Sequence, residues 1–273
     1  MRLAYLGPSG TFTHQAAATL RPDADGSPVD AASDALAAVA SGAASYAVLP
    51  IDNSVNGVVV PTLDALLARP ELSIVDSIVL PISFDAFTPD PAVAPTVVVS
   101  HPHALAQCRA WIEAQGLPTR EAASTAAACR DLAPGEVGLG PRICGGLYGL
   151  ATVAAAVEDN ARAYTQFALV SASRLPVRAD GDEGLLVALL PEANVPGILR
   201  RLLGVLERRG VNMTNLVTRP VPETPGLFTF LLFCSGTFTA DDFEAMRAEW
   251  AAHGGSARAL GRITPLHELA GRS

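Results

Sequence analysis

Up to about residue 170, short apolar runs alternate with alanine-rich stretches of helical length, and no other feature of the sequence limits the fold as much. The predicted strands are Arg2–Leu6, Tyr46–Leu49, Leu72–Leu80, Thr96–Val99, Glu136–Leu139 and Tyr164–Val170. Strands that alternate with helices of roughly 10–15 residues are typical of a mainly parallel sheet covered by helices. This part of the chain is therefore predicted to have an α/β fold.

The pattern changes after Ser171. Arg174–Gly184 is rich in Arg, Asp and Gly, which is typical of a linker. The strand, helix, two strands, helix and strand predicted beyond it are Leu185–Leu190, Val195–Arg209, Val211–Arg219, Leu227–Cys234, Asp241–Ala252 and Ala257–Ile263. This β-α-β-β-α-β order is ferredoxin-like and predicts a second, smaller domain.

The basic residues exclude several kinds of chemistry. The chain contains no lysine, so all 19 of its basic residues are arginine. A Schiff-base lysine, a pyridoxal phosphate anchor, a P-loop lysine and a lysine general base are therefore impossible. With 27 acidic residues the formal net charge is −8, which disfavours a nucleic-acid-binding surface. We predict no nucleic-acid partner.

Hydropathy and cysteine usage indicate a cytoplasmic protein. The N-terminal apolar run is too short for a secretory signal, and no run approaches the roughly 20 apolar residues of a membrane helix. The cysteines Cys108, Cys129, Cys144 and Cys234 are scattered and lack the C-x-x-C spacing of zinc and redox sites. The sequence thus predicts a cytoplasmic location, no membrane contact, no metal and no cofactor.

Two turns that begin predicted helices have the composition of anion-binding sites. Ser9, Gly10 and Thr11 follow the first strand, and Ser124 and Thr125 begin a later helix. Backbone N–H groups at a helix start lack intrahelical acceptors and lie at the positive end of the helix dipole, so they can hold a carboxylate or phosphate. When the first segment is taken alone, a plain turn capped by Ser or Thr explains it better than an anion site does.

Polar residues also follow two other predicted strands. Asp52 and Asn53 come after the second strand, at the edge where α/β sheets bind ligands, although an Asx turn is the alternative. Ser100 follows the fourth strand and is predicted to cap a single helix that carries Gln107 and continues to about Gln115. These side chains are candidates for contact with a ligand.

The last predicted strand of the first part has two distinct faces. Thr165 and Phe167 share one face, whereas Gln166 lies on the other, because side chains alternate along a strand. A threonine on a buried strand usually serves packing alone. The Thr165 hydroxyl therefore becomes functionally important only if its face lines a cleft.

Taken together, the segments resemble the prephenate dehydratase family followed by an ACT regulatory domain, from Ala4 to about Ile263. The stretches Leu6–Phe12, Pro50–Gly57, Ser100–Gln107, Ser124–Ala128 and Thr165–Phe167 resemble Y-L-G-P-x-G-T-F, P-I-E-N-S-x-x-G, S-H-P-Q-A-L-x-Q, S-T-A-A-A and T-R-F. Farther on, Pro196–Leu199, Gly210–Thr214 and Thr218–Pro220 resemble P-G-A-L, G-I-N-L-T and the end of E-S-R-P. Several motifs in the family's order make the resemblance specific.

The resemblance implies a catalytic domain over 1–176, built from two lobes like a periplasmic binding protein, with the active site in the cleft between them. Lobe one would combine 1–77 with 153–176, and lobe two would span 78–152. An ACT domain, which is ferredoxin-like, would follow over 184–264.

The resemblance also implies an activity, in which prephenate loses carbon dioxide and water to give phenylpyruvate for L-phenylalanine biosynthesis. Thr165 would assist the departing hydroxyl, while Asn53, Ser100 and Gln107 would orient the substrate and Asp52 would hold their network in place. The further residues expected to bind substrate are Ser9, Gly10, Thr11, Ser124, Thr125 and Phe167.

The ACT domain implies regulation by L-phenylalanine as a feedback inhibitor. ACT domains pair across subunits, so a homodimer or homotetramer is expected. The residues expected to bind the effector are Gly197, Ile198, Leu199, Asn212, Met213 and Thr214.

The chain departs from the family pattern at four quoted positions. Asp52 and Val217 each replace a Glu, His103 replaces a Gln, and Gln166 replaces an Arg.

Two alternatives stay open at this point. The first is arogenate as the substrate, its amine paired with an acid such as Asp52. The second is a non-catalytic cytosolic sensor of an amino acid or organic anion.

Overall fold

The computed structural model of the chain describes residues 1–173 and 182–265. Its strands are β1 (Arg2–Leu6), β2 (Asp25–Val29), β3 (Tyr46–Asn53), β4 (Gly57–Val58), β5 (Ser73–Pro81), β6 (Asp85–Thr88), β7 (Val97–Ser100), β8 (Thr119–Glu121), β9 (Glu136–Gly140), β10 (Ala151–Ala154), β11 (Tyr164–Ser171), β12 (Asp182–Pro191), β13 (Asn212–Pro220), β14 (Phe228–Phe238) and β15 (Gly255–Arg262). Its helices are α1 (Phe12–Leu20), α2 (Ala32–Ala40), α3 (Val60–Leu67), α4 (Pro102–Gln107), α5 (Arg109–Gln115), α6 (Thr125–Arg130), α7 (Ile143–Tyr148), α8 (Ile198–Arg208) and α9 (Ala240–Ala252). In these two ranges no helix is long and apolar enough to span a bilayer.

The first lobe contains the strands β2, β1, β3, β11 and β5, which lie side by side in that order. β1 is parallel to β2 and β3, whereas β11 is antiparallel to both β3 and β5. Helices cover both faces of this sheet, so that alternate side chains of β11 are buried on opposite sides. Phe167 packs with Ala16 of α1, and Ala168 belongs to the same core as Leu36 of α2.

The second lobe contains a five-stranded sheet in the order β10-β6-β9-β7-β8. β7 is parallel to β8 and β9, and β6 is antiparallel to β9 and β10. Its core includes Phe84, Val98, Ala104 and Leu139. The chain passes between the lobes twice, at 82–84 and at 155–163, so that a cleft lies between the two sheets.

The C-terminal unit has the predicted β-α-β-β-α-β order. Its strands are arranged as β13-β14-β12-β15, and both helices pack on one face of this sheet. Trp250 of α9 is fully buried, and its Nε1 donates to the carbonyl of Leu202 in α8 over 2.9 Å. The ferredoxin-like arrangement is therefore confirmed.

The C-terminal unit continues the sheet of the first lobe. β15 pairs in parallel with β5 between Gly261 and Ile74, which joins the strands of both parts in one ten-stranded sheet. On the face opposite α8 and α9, Leu186 and Phe233 share a buried core with Leu63 of α3. Because this apolar core spans both parts, its burial stabilises their association.

Some elements differ from the predicted ones. The strands β2, β6, β8 and β10 were not predicted from the apolar pattern. β2 is an exposed edge strand with the sequence Asp-Gly-Ser-Pro-Val, and its glycine and proline are more typical of turns. The single helix predicted as far as Gln115 is two helices, α4 and α5, which meet at Cys108.

The predicted lobe limits fall inside two strands. The limit between 77 and 78 lies within β5, which pairs with β11 as far as Pro81, and the limit between 152 and 153 lies within β10. Of the predicted linker Arg174–Gly184, residues 174–181 lie outside the described part, and Asp182 already begins β12. The domain limits 1–176 and 184–264 stay predictions.

Candidate active site

A cavity of about 550 Å³ lies between the two lobes. The first lobe contributes the start of α1, the end of β3 and the start of β11, and the second lobe contributes the start of α6. A smaller cavity of about 200 Å³ adjoins it near α4 and shares with it Phe12, Asn53, Thr125 and Thr165. The carboxyl end of a parallel strand and two helix starts thus meet at one place, as they do at ligand sites of α/β proteins.

Asn53 and Thr165 form a hydrogen-bonded pair in the cavity wall. They lie opposite each other on β3 and β11, and Asn53 Nδ2 donates to Thr165 Oγ1 over 2.7 Å. Asn53 Oδ1 accepts from the amides of Val55 and Asn56, each at 2.9 Å. These backbone donors determine which end of the side-chain amide is oxygen, so Nδ2 must face Thr165. The Thr165 oxygen is thus the acceptor in this pair, which leaves its own proton for an acceptor in the cavity.

Apolar side chains form another part of the wall. Phe167 lies on the same face of β11 as Thr165, and Phe12 also lines the cavity. The Phe12 ring meets the Phe84 ring edge to face, with 5.4 Å between centroids. Such a wall keeps water from part of a ligand and strengthens the electrostatic interactions at the polar groups beside it.

The start of α1 is presented to the cavity. Thr11 is its N-cap, since Thr11 Oγ1 accepts from the His14 amide over 3.3 Å, and its carbonyl accepts from the Gln15 amide over 3.0 Å. The amides of Phe12 and Thr13 precede these bonds and have no intrahelical acceptor, and both residues line the cavity. The predicted helix start at Thr11 is therefore confirmed, and the positive end of α1 lies at the cavity.

The start of α6 reaches the same cavity from the second lobe. Ser124 caps this helix as predicted, because its Oγ accepts from the Ala127 amide over 2.9 Å. The next residue, Thr125, lines both cavities. The capping hydroxyl is thus used within the helix, and Thr125 is the residue of this pair that is available to a ligand.

Ser9 and Gly10 make contacts within the protein that occupy the Gly10 amide, and their predicted role in substrate binding stays a prediction. The Gly10 amide donates to His14 Nδ1 over 3.0 Å, and burial lowers the pKa of His14, which favours the neutral ring that accepts this bond. The Ser9 carbonyl accepts from the Tyr148 hydroxyl over 2.8 Å, and the Gly10 carbonyl accepts from Cys144 Sγ over 3.2 Å. This loop therefore joins lobe one to lobe two.

Ser100 and Gln107, both predicted to orient substrate, lie in different surroundings. Ser100 is fully buried, and its Oγ donates to the Leu139 carbonyl over 2.7 Å, which holds β7 to β9. It does not cap α4, because His101 occupies the N-cap position. Ser100 lines neither cavity, and its predicted role in orienting substrate stays a prediction. Gln107 does line the smaller cavity, where its Nε2 lies 2.8 Å from Nε2 of His103.

Asp52 and Gln166 lie on the face of the sheet that is turned away from the cavity. They stand opposite each other on β3 and β11. Gln166 is fully buried, as its predicted position on the rear face implies, and its Nε2 donates to the Thr264 carbonyl over 2.7 Å. Asp52 is 5% exposed, and burial raises its pKa while a backbone hydrogen bond from Asn53 lowers it. Any role of Asp52 in the reaction is therefore indirect.

Several residues of the site were missed in the sequence analysis. Thr13 and Phe12 line the cavity through their position at the start of α1, and the helix start itself was a signal for them. Tyr148 and Cys144 contact the loop of lobe one across 139 and 134 residues of sequence. No local pattern signals a contact over such a distance.

The residues expected to bind the effector lie in the C-terminal unit. Gly197 is the N-cap of α8 with a φ of +79°, a left-handed conformation that favours glycine. Ile198, the first residue of α8, is buried, and Asn212 is exposed at the start of β13. Thr214 Oγ1 donates to the Phe233 carbonyl over 3.1 Å. Their role in effector binding stays a prediction.

These features define a two-lobed α/β protein with a ligand-sized cleft and a C-terminal ferredoxin-like unit. The family model described as prephenate dehydratase matches residues 3–174. The prephenate dehydratase of Mycobacterium sp. (strain JLS) is 38% identical over 267 residues, covering 90% of this chain and 84% of its own. The chain belongs to the prephenate dehydratase family.

A solved structure described as prephenate dehydratase agrees with this assignment, and another similar structure has a different description. The structure of prephenate dehydratase in complex with L-Phe from Arthrobacter aurescens has a TM-score of 0.79 and 31% identity, and the match covers 96% of this chain and 89% of that one. A structure described as GqqA, a novel type of quorum quenching acylase, has a TM-score of 0.87 and 25% identity, with 98% and 99% covered. Relatives named prephenate dehydratase over most of the chain confirm the predicted activity and do not favour the arogenate or sensor alternatives.

Proposed function

We propose that the cavity between the lobes binds prephenate and releases phenylpyruvate in a carbon–oxygen lyase reaction, with Thr165 as the catalytic residue. The observation that carries this proposal is the hydrogen bond of 2.7 Å from Asn53 to Thr165 in the cavity wall. We propose that the reaction needs no metal or cofactor. We also propose that the protein is cytoplasmic.

The chemistry of prephenate determines what the protein must supply. Prephenate is a dianion whose non-aromatic ring carries a carboxylate and a pyruvyl group on one carbon and a hydroxyl on the opposite carbon. When the carbon–carbon bond to the carboxylate breaks, its electron pair enters the ring and expels the hydroxyl, which gains a proton and leaves as water. The ring becomes aromatic without an oxidant or a reductant. The protein has to hold the dianion and stabilise the departing hydroxyl.

Thr165 is suited to stabilise that leaving group. Its oxygen accepts from Asn53, which polarises its own O–H bond and leaves that proton for an acceptor in the cavity. A threonine hydroxyl is a weak acid, so it acts by a strong hydrogen bond with partial proton transfer, and the side chain does not become a full alkoxide. Asn53 acts by fixing the direction of this bond.

The remaining residues of the cavity bind and shield the substrate. The amides of Phe12 and Thr13, at the positive end of α1, and the hydroxyl of Thr125 hold carboxylate oxygens. Gln107 in the smaller cavity orients the pyruvyl group. Phe167 forms an apolar wall that keeps water from the carboxylate that departs.

We also propose that the C-terminal unit is an ACT domain that binds L-phenylalanine as a feedback inhibitor, in a homodimer or homotetramer. The β-α-β-β-α-β order supports this assignment, and so does the left-handed Gly197 at the start of α8. The Arthrobacter aurescens relative in complex with L-Phe supports the choice of effector. Gly197–Leu199 provide backbone groups for its ammonium and carboxylate, and Asn212–Thr214 form the other side of the site.

The test is an ultraviolet assay of purified, metal-free protein with prephenate and, separately, with arogenate. We expect phenylpyruvate to form from prephenate, with a higher kcat/KM than for the conversion of arogenate to phenylalanine, and the rate with prephenate to fall when L-phenylalanine is added. Protein that leaves prephenate unchanged contradicts the catalytic proposal. Active protein that binds no L-phenylalanine in calorimetry contradicts the regulatory one.

A further inference from the structure

Gln166, the residue that follows Thr165, carries a buried polar atom without a partner. Its Nε2 donates to the Thr264 carbonyl over 2.7 Å. Its Oε1 is buried and has no hydrogen-bond partner among the residues that the structure describes. Because a carbonyl can only accept, the side-chain amide cannot rotate to exchange its two ends. A buried acceptor that stays unpaired is costly, so a donor is required beside Oε1.

Asp52 occupies the position directly opposite Gln166. Opposed residues of antiparallel strands share a face and have Cβ atoms about 4.5–5.5 Å apart, which brings these two side chains within reach of each other. Asp52 is almost fully buried, and no ion pair joins it to another described residue. A carboxylate could only accept and would repel Oε1, whereas a carboxylic acid provides one O–H donor.

The surroundings of Asp52 shift its protonation equilibrium toward the neutral acid. Burial is the larger influence on its pKa and raises it, and the backbone of Asn53 lowers it. On β11 the titratable neighbour is the Tyr164 phenol, whose pKa is raised by burial, so that it stays neutral. On β4 the residue opposite Asp52 is Val58, which is apolar. A charge at Asp52 would thus be surrounded mainly by groups that do not stabilise it.

We propose that the Asp52 carboxyl is protonated at neutral pH, donates to Gln166 Oε1 and so completes a buried hydrogen-bonded chain, Asp52–Gln166–Thr264, that positions Thr165 and Asn53. Asp52 and Gln166 are positioning residues, because neither touches the cavity. The kinetic part of this inference rests on the proposed role of Thr165. The protonation state of Asp52 can be measured independently of that role.

The chain can act on the cavity because its last member is fixed to the sheet. The Thr264 amide donates to Ser77 Oγ over 2.5 Å, and Thr264 Oγ1 donates to the Ser77 carbonyl over 2.9 Å, which anchors this segment to β5. Gln166 adjoins Thr165 on β11, and its partner on β3 adjoins Asn53. A hydrogen bond between the two strands on the rear face therefore also fixes the distance between Thr165 and Asn53 on the front face.

Infrared spectroscopy of protein labelled with carboxyl-¹³C aspartate tests the protonation directly. At neutral pH we expect the wild type to show the C=O band of a protonated acid, and Asp52→Asn to lose it. Asp76→Asn, at an exposed aspartate of β5, is the matched control and should retain the band. The proposal is overturned if the spectra of the wild type and Asp52→Asn differ only in a carboxylate band, because Asp52 would then be ionised. This outcome does not depend on activity, so it is distinct from a failure of the proposed function.

Steady-state kinetics of Asp52→Leu and Asp52→Asn test the positioning role. Leucine is similar in size but cannot donate, and we expect kcat to fall about tenfold, the effect of losing one hydrogen bond, with KM changed less than about twofold. Asparagine can donate to Oε1, so it should recover kcat to within about threefold of the wild type. An equal loss of kcat in both variants contradicts the proposal. If the leucine variant does not fold, the proposal is contradicted by an Asp52→Asn kcat below about a tenth of the wild type.

Discussion

The two faces of β11 have different surroundings although their residues alternate along one strand. On the front face Thr165 and Phe167 line the cavity, and the hydroxyl of Thr165 is paired with an amide. On the rear face Gln166 is bonded to the segment after β15, and Ala168 belongs to the core shared with the C-terminal unit. One strand thus carries the chemistry and the contact with the C-terminal unit on neighbouring residues.

The two faces should therefore respond differently to substitution. Thr165 lines the cavity and is not part of a buried apolar core, so changes at this residue should lower the rate and leave the free energy of unfolding nearly unchanged. The rear face is a core and a strand junction, so changes there should lower stability and weaken the response to L-phenylalanine. Each prediction below separates or connects these two behaviours.

The largest effect is expected on the front face. Thr165→Ala removes the hydroxyl that assists the leaving group, and kcat should fall by about 10²-fold or more, the lower end of general acid assistance. Thr165→Ser retains the hydroxyl and is the matched control, with kcat within about tenfold of the wild type. Steady-state assays and thermal unfolding of both variants give the comparison. A nearly normal kcat for the alanine variant would remove Thr165 from its proposed role.

A second effect is expected where β15 meets β5. A Cβ at Gly261 would lie 2.1 Å from the Ile74 carbonyl oxygen, and the φ of this glycine is +137°. Gly261→Ala should therefore lower the free energy of unfolding by about 2 kcal/mol and weaken inhibition by L-phenylalanine, while kcat stays within about threefold.

Gly236→Ala is the control for this junction. Gly236 has a similar φ of +142°, but the nearest atom to its Cβ would be 3.8 Å away, on the Phe238 ring. The control should share the backbone strain and leave inhibition unchanged. Equal loss of inhibition in both variants would show that the junction with β5 does not matter for regulation.

The smallest effect is expected at the edge of the same interface. Arg219 on β13 makes two hydrogen bonds of 2.6 Å to the carboxylate of Asp64 on α3. Both side chains are partly exposed, so Arg219→Ala should lower the free energy of unfolding by less than about 1 kcal/mol. Arg247→Ala, which breaks the exposed pair with Glu244 inside the C-terminal unit, is the control.

Inhibition assays distinguish these two arginine variants. Arg219→Ala should raise the L-phenylalanine concentration for half inhibition by about twofold, because it loosens the contact between the C-terminal unit and lobe one. The shift is small because an exposed ion pair contributes little free energy. Arg247→Ala should not shift it. An identical response of both variants would mean that the ion pair has no part in the coupling.

Local features of the site could be predicted from the sequence, because they depend on few neighbouring residues. Thr11 and Ser124 cap their helices as predicted, since a cap needs only the next three residues. The alternation along β11 also predicted that Gln166 and Thr165 lie on opposite faces. The edge strand β2 escaped prediction because it has no apolar periodicity.

Features that depend on distant residues could not be predicted in this way. The loop of Ser9 and Gly10 is bonded to lobe two through Tyr148, which is 139 residues from Ser9. Ser100 resembled a helix cap, but its hydroxyl joins two strands. That Asp52 faces Gln166 depends on a register shift between β3 and β11, which alternation alone does not reveal.

If Thr165 acts through a hydroxyl whose direction Asn53 fixes, the two residues must be energetically coupled, and a double-mutant cycle on kcat measures this coupling. Asn53→Ala should lower kcat about tenfold in the wild type, because one hydrogen bond is lost. In the Thr165→Ala background the same substitution should change kcat less than about twofold, because the hydroxyl that it directs is already gone. A further tenfold loss in that background would show that the two residues act independently and would contradict the account.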